Sequence, residues 1–239
     1  MKILVPGLFA IVLLFAVVEF THGDGLGTGI ATPGSPHNFA DDIGGAELPP
    51  GGWNAREEVC RVCHVPHDHN RATGLQANGL LWNHALSNTT FTMYTSVTLD
   101  GAQASQPTGI SKMCLGCHDG TTAVDTFDSY VGGTVFIDDY NPGFQVPGDL
   151  FAGDLGSTHP ISIEYDEAAD PALRSKTDPF GASGTIADIL ENGTTLQCSS
   201  CHDVHDAPGE SVPGTHLLRV SQKASQGQAS GLCISCHIK

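Results

Sequence analysis

Cys60-Arg61-Val62-Cys63-His64, Cys114-Leu115-Gly116-Cys117-His118, Cys198-Ser199-Ser200-Cys201-His202 and Cys233-Ile234-Ser235-Cys236-His237 decide how this chain folds, because together they use all eight of its cysteines. Each motif sets two thiols three positions apart, on one turn of chain, with a histidine directly after the second. Thiols so spaced can each form a thioether to one vinyl group of a haem, and the histidine then lies under the iron as an axial ligand. This is the pattern of c-type haem attachment. Cys-x-x-Cys pairs also hold structural zinc or form redox disulfides, but neither role requires the histidine. With 12 histidines in 239 residues, its appearance after all four pairs by chance is on the order of one in a hundred thousand. Four haem c groups, attached covalently, are therefore the expected cofactors.

The second axial position separates a carrier from a catalyst. Only Met93 and Met113 follow the first residue, and Met113, beside Cys114, cannot reach the far face of its own haem. Methionine therefore cannot complete four irons. Histidine can: outside the motifs and the N-terminal apolar segment lie His37, His67, His69, His84, His159, His205 and His216. Bis-histidine coordination is expected throughout, with potentials below those of His/Met ligation. The motif ligands are His64, His118, His202 and His237. The distal candidates are His37, His67, His84, His159 and His205, five for four places. His67 and His205 each follow a motif histidine by three residues, so each points away from its own haem and toward a neighbouring iron. His69 and His216 read as surface residues. Catalysis needs an iron with an open position. The surplus of distal histidines argues against a multihaem oxyanion reductase, and no nucleophile motif or phosphate loop is present; the chain is not expected to be an enzyme.

Composition agrees that the chain needs a cofactor to fold. Gly (29) and Pro (14) are abundant while aromatic residues are only 7%, a balance poorly suited to offsetting chain entropy with an apolar core alone. The net charge of −16 opposes binding to nucleic acid or anionic lipid and favours a cationic partner or a positively charged mineral surface. Residues 1–23 read as a signal peptide: Lys2, then an apolar run from Ile3 to Val18 broken by Pro6 and Gly7, then small or polar residues. The run is short for a spanning helix, so no retained membrane anchor is expected. Residues 24–52 form an N-terminal arm, with Gly44-Gly45, Pro49-Pro50 and Gly51-Gly52 making it extended or flexible. His37 on such an arm can serve a haem of its own chain or of a neighbouring subunit. Residues 53–125 are a first two-haem unit, 126–194 a loop-rich insert carrying His159, and 195–239 a second two-haem unit. Regular structure is expected to be sparse: short helices near 55–64 and 186–191, and strands near 91–99 and 160–165, where Ile161, Ile163 and Tyr165 alternate. Asp138, Asp139 and Asp154 sit in acidic loops that are more often solvated than calcium-binding.

The order of short motifs resembles a known family. His37-Asn38-Phe39 comes first, then Cys63-His64-Val65-Pro66-His67, Leu81-Trp82-Asn83-His84, Tyr94-Thr95-Ser96 and Ser111 to Gly120. His159-Pro160-Ile161-Ser162, Cys201-His202-Asp203-Val204-His205, Leu217-Leu218-Arg219 and the last motif follow. This pattern, over residues 35–239, is similar to the secreted multihaem c-type cytochromes of metal-reducing bacteria and some archaea, and particularly to the tetrahaem subunits of extracellular cytochrome nanowires. The resemblance implies a mostly loop fold with short helices and few strands, wrapped around a haem stack. It also implies polymerisation into a filament, an axial histidine passed between subunits, an extracellular or cell-surface location, and electron delivery to redox proteins or metal and mineral acceptors. A soluble periplasmic electron shuttle is the alternative.

Overall fold

The computed structural model describes residues 25–40, 53–54, 56–65, 81–128, 132–137, 153–224, 227 and 229–238. The expected signal peptide, the second half of the arm (41–52), His67, His69, Asp138 and Asp139 lie outside the described residues. Most of the described chain is turn and irregular backbone. Among these residues no helix is long and apolar enough to cross a membrane.

Among the described residues four helices are delimited: α1 (Gly109–His118), α2 (Ile186–Ile189), α3 (Cys198–Cys201) and α4 (Gly231–Ile234). Three of them carry motifs. The second motif fills the last turn of α1, the third motif forms α3, and α4 opens the fourth motif. Helical backbone thus turns both cysteines of each pair toward one side. α1 was not foreseen from the sequence, because its interior residues Ser111, Met113, Leu115 and Gly116 give no clean apolar stripe; all four are buried. Gly116 is needed for this packing: a Cβ there would stand 2.6 Å from the Ala85 carbonyl oxygen.

The helix expected over 55–64 is reduced to one turn. His64 N–H donates to the Cys60 carbonyl at 2.8 Å. Upstream, Glu57 adopts φ of +54°, which no right-handed helix accommodates. The turn is braced instead by the Leu-Trp-Asn-His stretch. Val65 N–H donates to Leu81 O (3.0 Å) and Asn83 N–H to Cys63 O (2.8 Å). The Asn83 amide also reaches Arg61 O and, at 3.0 Å, Asp128, whose other oxygen accepts from Arg61 Nε at 2.6 Å.

Two short strands pair antiparallel, β1 (Ile163–Glu164) with β2 (Thr195–Leu196), in the register Ile163 to Leu196. The alternation over 160–165 is visible in burial: Ile163 and Tyr165 are buried while Glu164 between them is exposed. No strand forms over 91–99; Thr92 makes only a single parallel bridge to Asp154. The insert departs furthest from expectation. Its backbone is irregular, yet it holds the largest apolar cluster, in which Ile163, Tyr165, Phe180, Ile186, Ile189 and Leu190 pack with Leu196. Its α2 begins at Thr185, whose N–H and hydroxyl both donate to Asp188 (2.8 and 2.7 Å), the kind of reciprocal N-terminal pairing that starts a helix. A smaller cluster of Phe39, Val62 and Val124, with Trp53 and Phe127 packed against it, joins the arm to the first motif.

Candidate haem-binding site

None of the eight cysteines is joined in a disulfide. Successive motifs are neighbours in space. Cys63 of the first lies within electrostatic reach of Cys117 of the second. The thiols of Cys114 and Cys198 hydrogen-bond to each other, raising the pKa of the first and lowering that of the second. Cys201 of the third lies near Cys236 and Cys233 of the fourth. Burial pushes the Cys117 and Cys201 thiols up to about 12 and Cys236 to about 11. The two ends of this series reach the surface, where Cys60 and Cys233 are exposed.

The motif histidines face other histidines. His118 has its ring centroid 6.1 Å from that of His37. His64 and His205 are 6.4 Å apart, and His237 and His159 are 6.3 Å apart. These spacings test whether the residues fit an iron between them. With metal–nitrogen bonds of roughly 2.0–2.1 Å and a further ~1.1 Å from nitrogen to ring centre, imidazoles on opposite sides of one metal have centroids roughly 6.2–6.4 Å apart. Two pairs fall within that span and the His37–His118 pair lies about 0.1 Å short of it, so the residues fit. A tetrahedral zinc site would instead gather four donors; among the described residues no group of even three His, Cys, Asp or Glu side chains converges in this way.

The ring nitrogens are prepared unequally. His202 Nδ1 meets the His216 carbonyl at 2.6 Å and His159 Nδ1 meets the Pro160 carbonyl at 3.0 Å. A proton held at Nδ1 by a carbonyl leaves Nε2 as the free donor atom, the usual arrangement behind a ligating histidine. His37 Nδ1 is buried with no hydrogen-bond partner. Burial pushes the His37 pKa down to about 3, with His118, His202 and His205 pushing the same way and Asp206 opposing. Burial likewise lowers His118 to about 4. Both rings are therefore neutral at physiological pH, the form that binds metal.

His84 is placed differently from the other distal candidates. It is fully buried, and both its ring nitrogens face backbone carbonyls, Nδ1 that of Ala85 (2.9 Å) and Nε2 that of Val124 (3.1 Å). Its nearest motif atom is the Cys117 sulfur, 3.5 Å from Nε2. No motif histidine is seen opposite it.

The arm lies against its own chain: His37 meets His118 of the same polypeptide, and Phe39 stacks edge-on against Trp53 at 5.8 Å. What holds it there is a residue that sequence reasoning missed, Asp206, which carries no exposed surface. Its nearest sequence signal is the run Cys-His-Asp-Val-His-Asp at 201–206. The preceding Asp203 shapes the same turn, accepting from His205 N–H (3.3 Å) and Ala207 N–H (2.7 Å).

No protein-family model matches the chain, and a search of the curated proteins finds no relative.

Proposed function

We propose that this protein is a secreted electron conduit that holds four haems through its Cys-x-x-Cys-His motifs, works as a subunit of an extracellular filament, and is not an enzyme. The observation that carries the reading is the conjunction of four such motifs with three histidine pairs spaced 6.1, 6.4 and 6.3 Å apart. Haem, when bound, supplies a one-electron iron couple. The chain's residues do the rest. Cys60 and Cys63 would hold the first haem, with His64 and His205 as its histidine ligands. Cys114 and Cys117 would hold the second, with His118 and His37. Cys233 and Cys236 would hold the fourth, with His237 and His159. For the third, held by Cys198, Cys201 and His202, we assign His67, because His205 already crosses from the third motif to the first and His67 stands at the equivalent position after His64. His84 then serves to fix the loop beside Cys117.

This set leaves no open position at the three irons whose pairs are described, which disfavours a reductase acting on a small oxyanion. Sequence-adjacent motifs that are also spatial neighbours favour transfer along the molecule, and the exposed first and last motifs suit exchange with another copy, a redox protein or a mineral surface. The acidic net charge of −16 disfavours nucleic acid as a partner. Mass spectrometry after acid–acetone extraction tests the reading. Four retained haems, with low-spin spectra lacking a methionine–iron band, are expected; zinc, or a haem-free chain, would refute it. Electron micrographs of the secreted protein then separate filament from soluble shuttle.

A further inference from the structure

We infer that Asp206 is a positioning residue that holds two distal ligands, His37 and His205, at once: its carboxylate fastens the N-terminal arm, and its backbone closes the turn that presents His205. The inference rests on the haem reading proposed above.

The carboxylate works as an anion seated in the arm's own backbone. Leu26 N–H donates to Oδ2 at 2.8 Å and Gly27 N–H to Oδ1 at 2.7 Å, so two successive amides grip one anionic group. The Ser35 hydroxyl adds a third bond, to Oδ2 at 3.1 Å, and it is buried. A fourth contact runs from Gly29 N–H to the Asp206 carbonyl at 2.6 Å. The arm is shaped for this approach: a Cβ at Gly25 would stand 2.8 Å from Oδ1, and Gly27 adopts φ of +64°. Ser35 is two residues from His37, and the Asn38 N–H returns to the Ser35 carbonyl at 2.9 Å. His37 therefore lies inside a turn whose first residue the carboxylate pins.

On the other side, Asp206 itself adopts φ of +50°, and its N–H closes on the Asp203 carbonyl at 3.1 Å. Aspartate and asparagine tolerate this left-handed conformation better than most residues. Its chain neighbour His205 is thereby turned toward His64. One buried carboxylate thus ties His37 to His205, the residues that would serve as distal ligands of the second and first haems. Buried carboxylates persist where hydrogen bonds satisfy them, and removing one strands its donors.

The test uses Asp206→Asn in the full-length secreted protein with its haems. Asparagine keeps the size and the backbone conformation, but one of its two side-chain ends is an NH2 that must face an arm N–H. Hydrogen exchange at Leu26 and Gly27 should accelerate by about 10-fold or more. One or two of the four haems should become high-spin, matching His37→Ala in kind, and added imidazole should restore the low-spin spectrum in both variants. An arm that loosens while all four haems stay low-spin would show that Asp206 does not position a ligand. Unchanged exchange and unchanged spectra would overturn the inference outright. Should Asp206→Asn not accumulate, Ser35→Ala removes one bond of the same set and should shift both readouts in the same direction by less; no shift overturns the inference. A wild-type protein found without haem defeats the functional reading first, and is told apart by its haem content, measured before any variant is compared.

Discussion

The insert around 163–196 and the arm-and-motif region around 25–128 are held together by different physics. The insert buries an ordinary apolar cluster in which Phe180 and Ile186 have almost no exposed surface. The other region has little such core. Its order comes from a buried carboxylate, from the Asn83–Asp128–Arg61 network, and from histidine rings set opposite one another across gaps. An apolar cluster stabilises by roughly 25 cal/mol for each Å² removed from water, a contribution that paired polar rings do not make. On the proposed reading, one part of the chain carries its own folding free energy and the other would draw part of it from haem.

The largest expected effect follows from that division. Produced without haem attachment, the chain should lose hydrogen-exchange protection over 25–40, 56–65 and 81–92, with local opening free energies near zero, while amides around 163–196 stay protected. Uniform loss, or uniform retention, would break the comparison. Next in size, Phe180→Ala should destabilise the insert by about 3–5 kcal/mol, read by denaturant unfolding, while all four haems remain low-spin. A change of spin state in that variant would mean that the two regions are not separable.

A third experiment sharpens the comparison within the histidines. His159→Ala should turn one haem of four high-spin, because it removes the ring facing His237 at 6.3 Å. His84→Ala should turn none and instead cost about 1–3 kcal/mol, the penalty for stranding whichever of the Ala85 and Val124 carbonyls accepts the single N–H of the neutral ring. A high-spin haem in His84→Ala would return His84 to the ligand set and displace His67.

The sequence was legible where chemistry needs fixed spacing and opaque where it does not. Cysteine and histidine positions carry the proposed site, since thioether attachment would tolerate no other register. The sparse regular structure followed from Gly and Pro content. The alternation Ile161, Ile163, Tyr165 located β1, and the helix expected near 186–191 is α2, whose start at Thr185 with Asp188 was not read from the sequence. By contrast, the core of the insert was hidden, because its apolar residues, Phe180 and Leu196 among them, are scattered between turns and show no period. Asp206 was hidden for another reason: an acidic residue in an acidic chain reads as solvated surface until its three donors are seen. The arm's docking likewise depends on Gly25 and Gly27, whose close approach in space has no signal in the sequence.

The smallest expected effect lies where the insert touches the fourth motif. The Tyr165 hydroxyl, at the edge of the insert's cluster, donates toward the Arg174 carbonyl at 2.9 Å and the Cys236 carbonyl at 3.2 Å. Cys236 belongs to the fourth motif, and its carbonyl also accepts the Arg174 N–H at 2.8 Å. Removing the hydroxyl therefore strands only the Arg174 oxygen. The ring of Tyr165, which is buried, stays in place in Tyr165→Phe, so the apolar contribution is kept. The expected cost is about 0.5–1.5 kcal/mol, the net worth of one hydrogen bond, with haem content and spin state unchanged. Denaturant unfolding of the holoprotein measures it. A loss several times larger, or a high-spin fourth haem, would mean that this one hydroxyl locks the fourth motif onto the insert, and that the insert helps to hold the haem region in place as well as folding by itself.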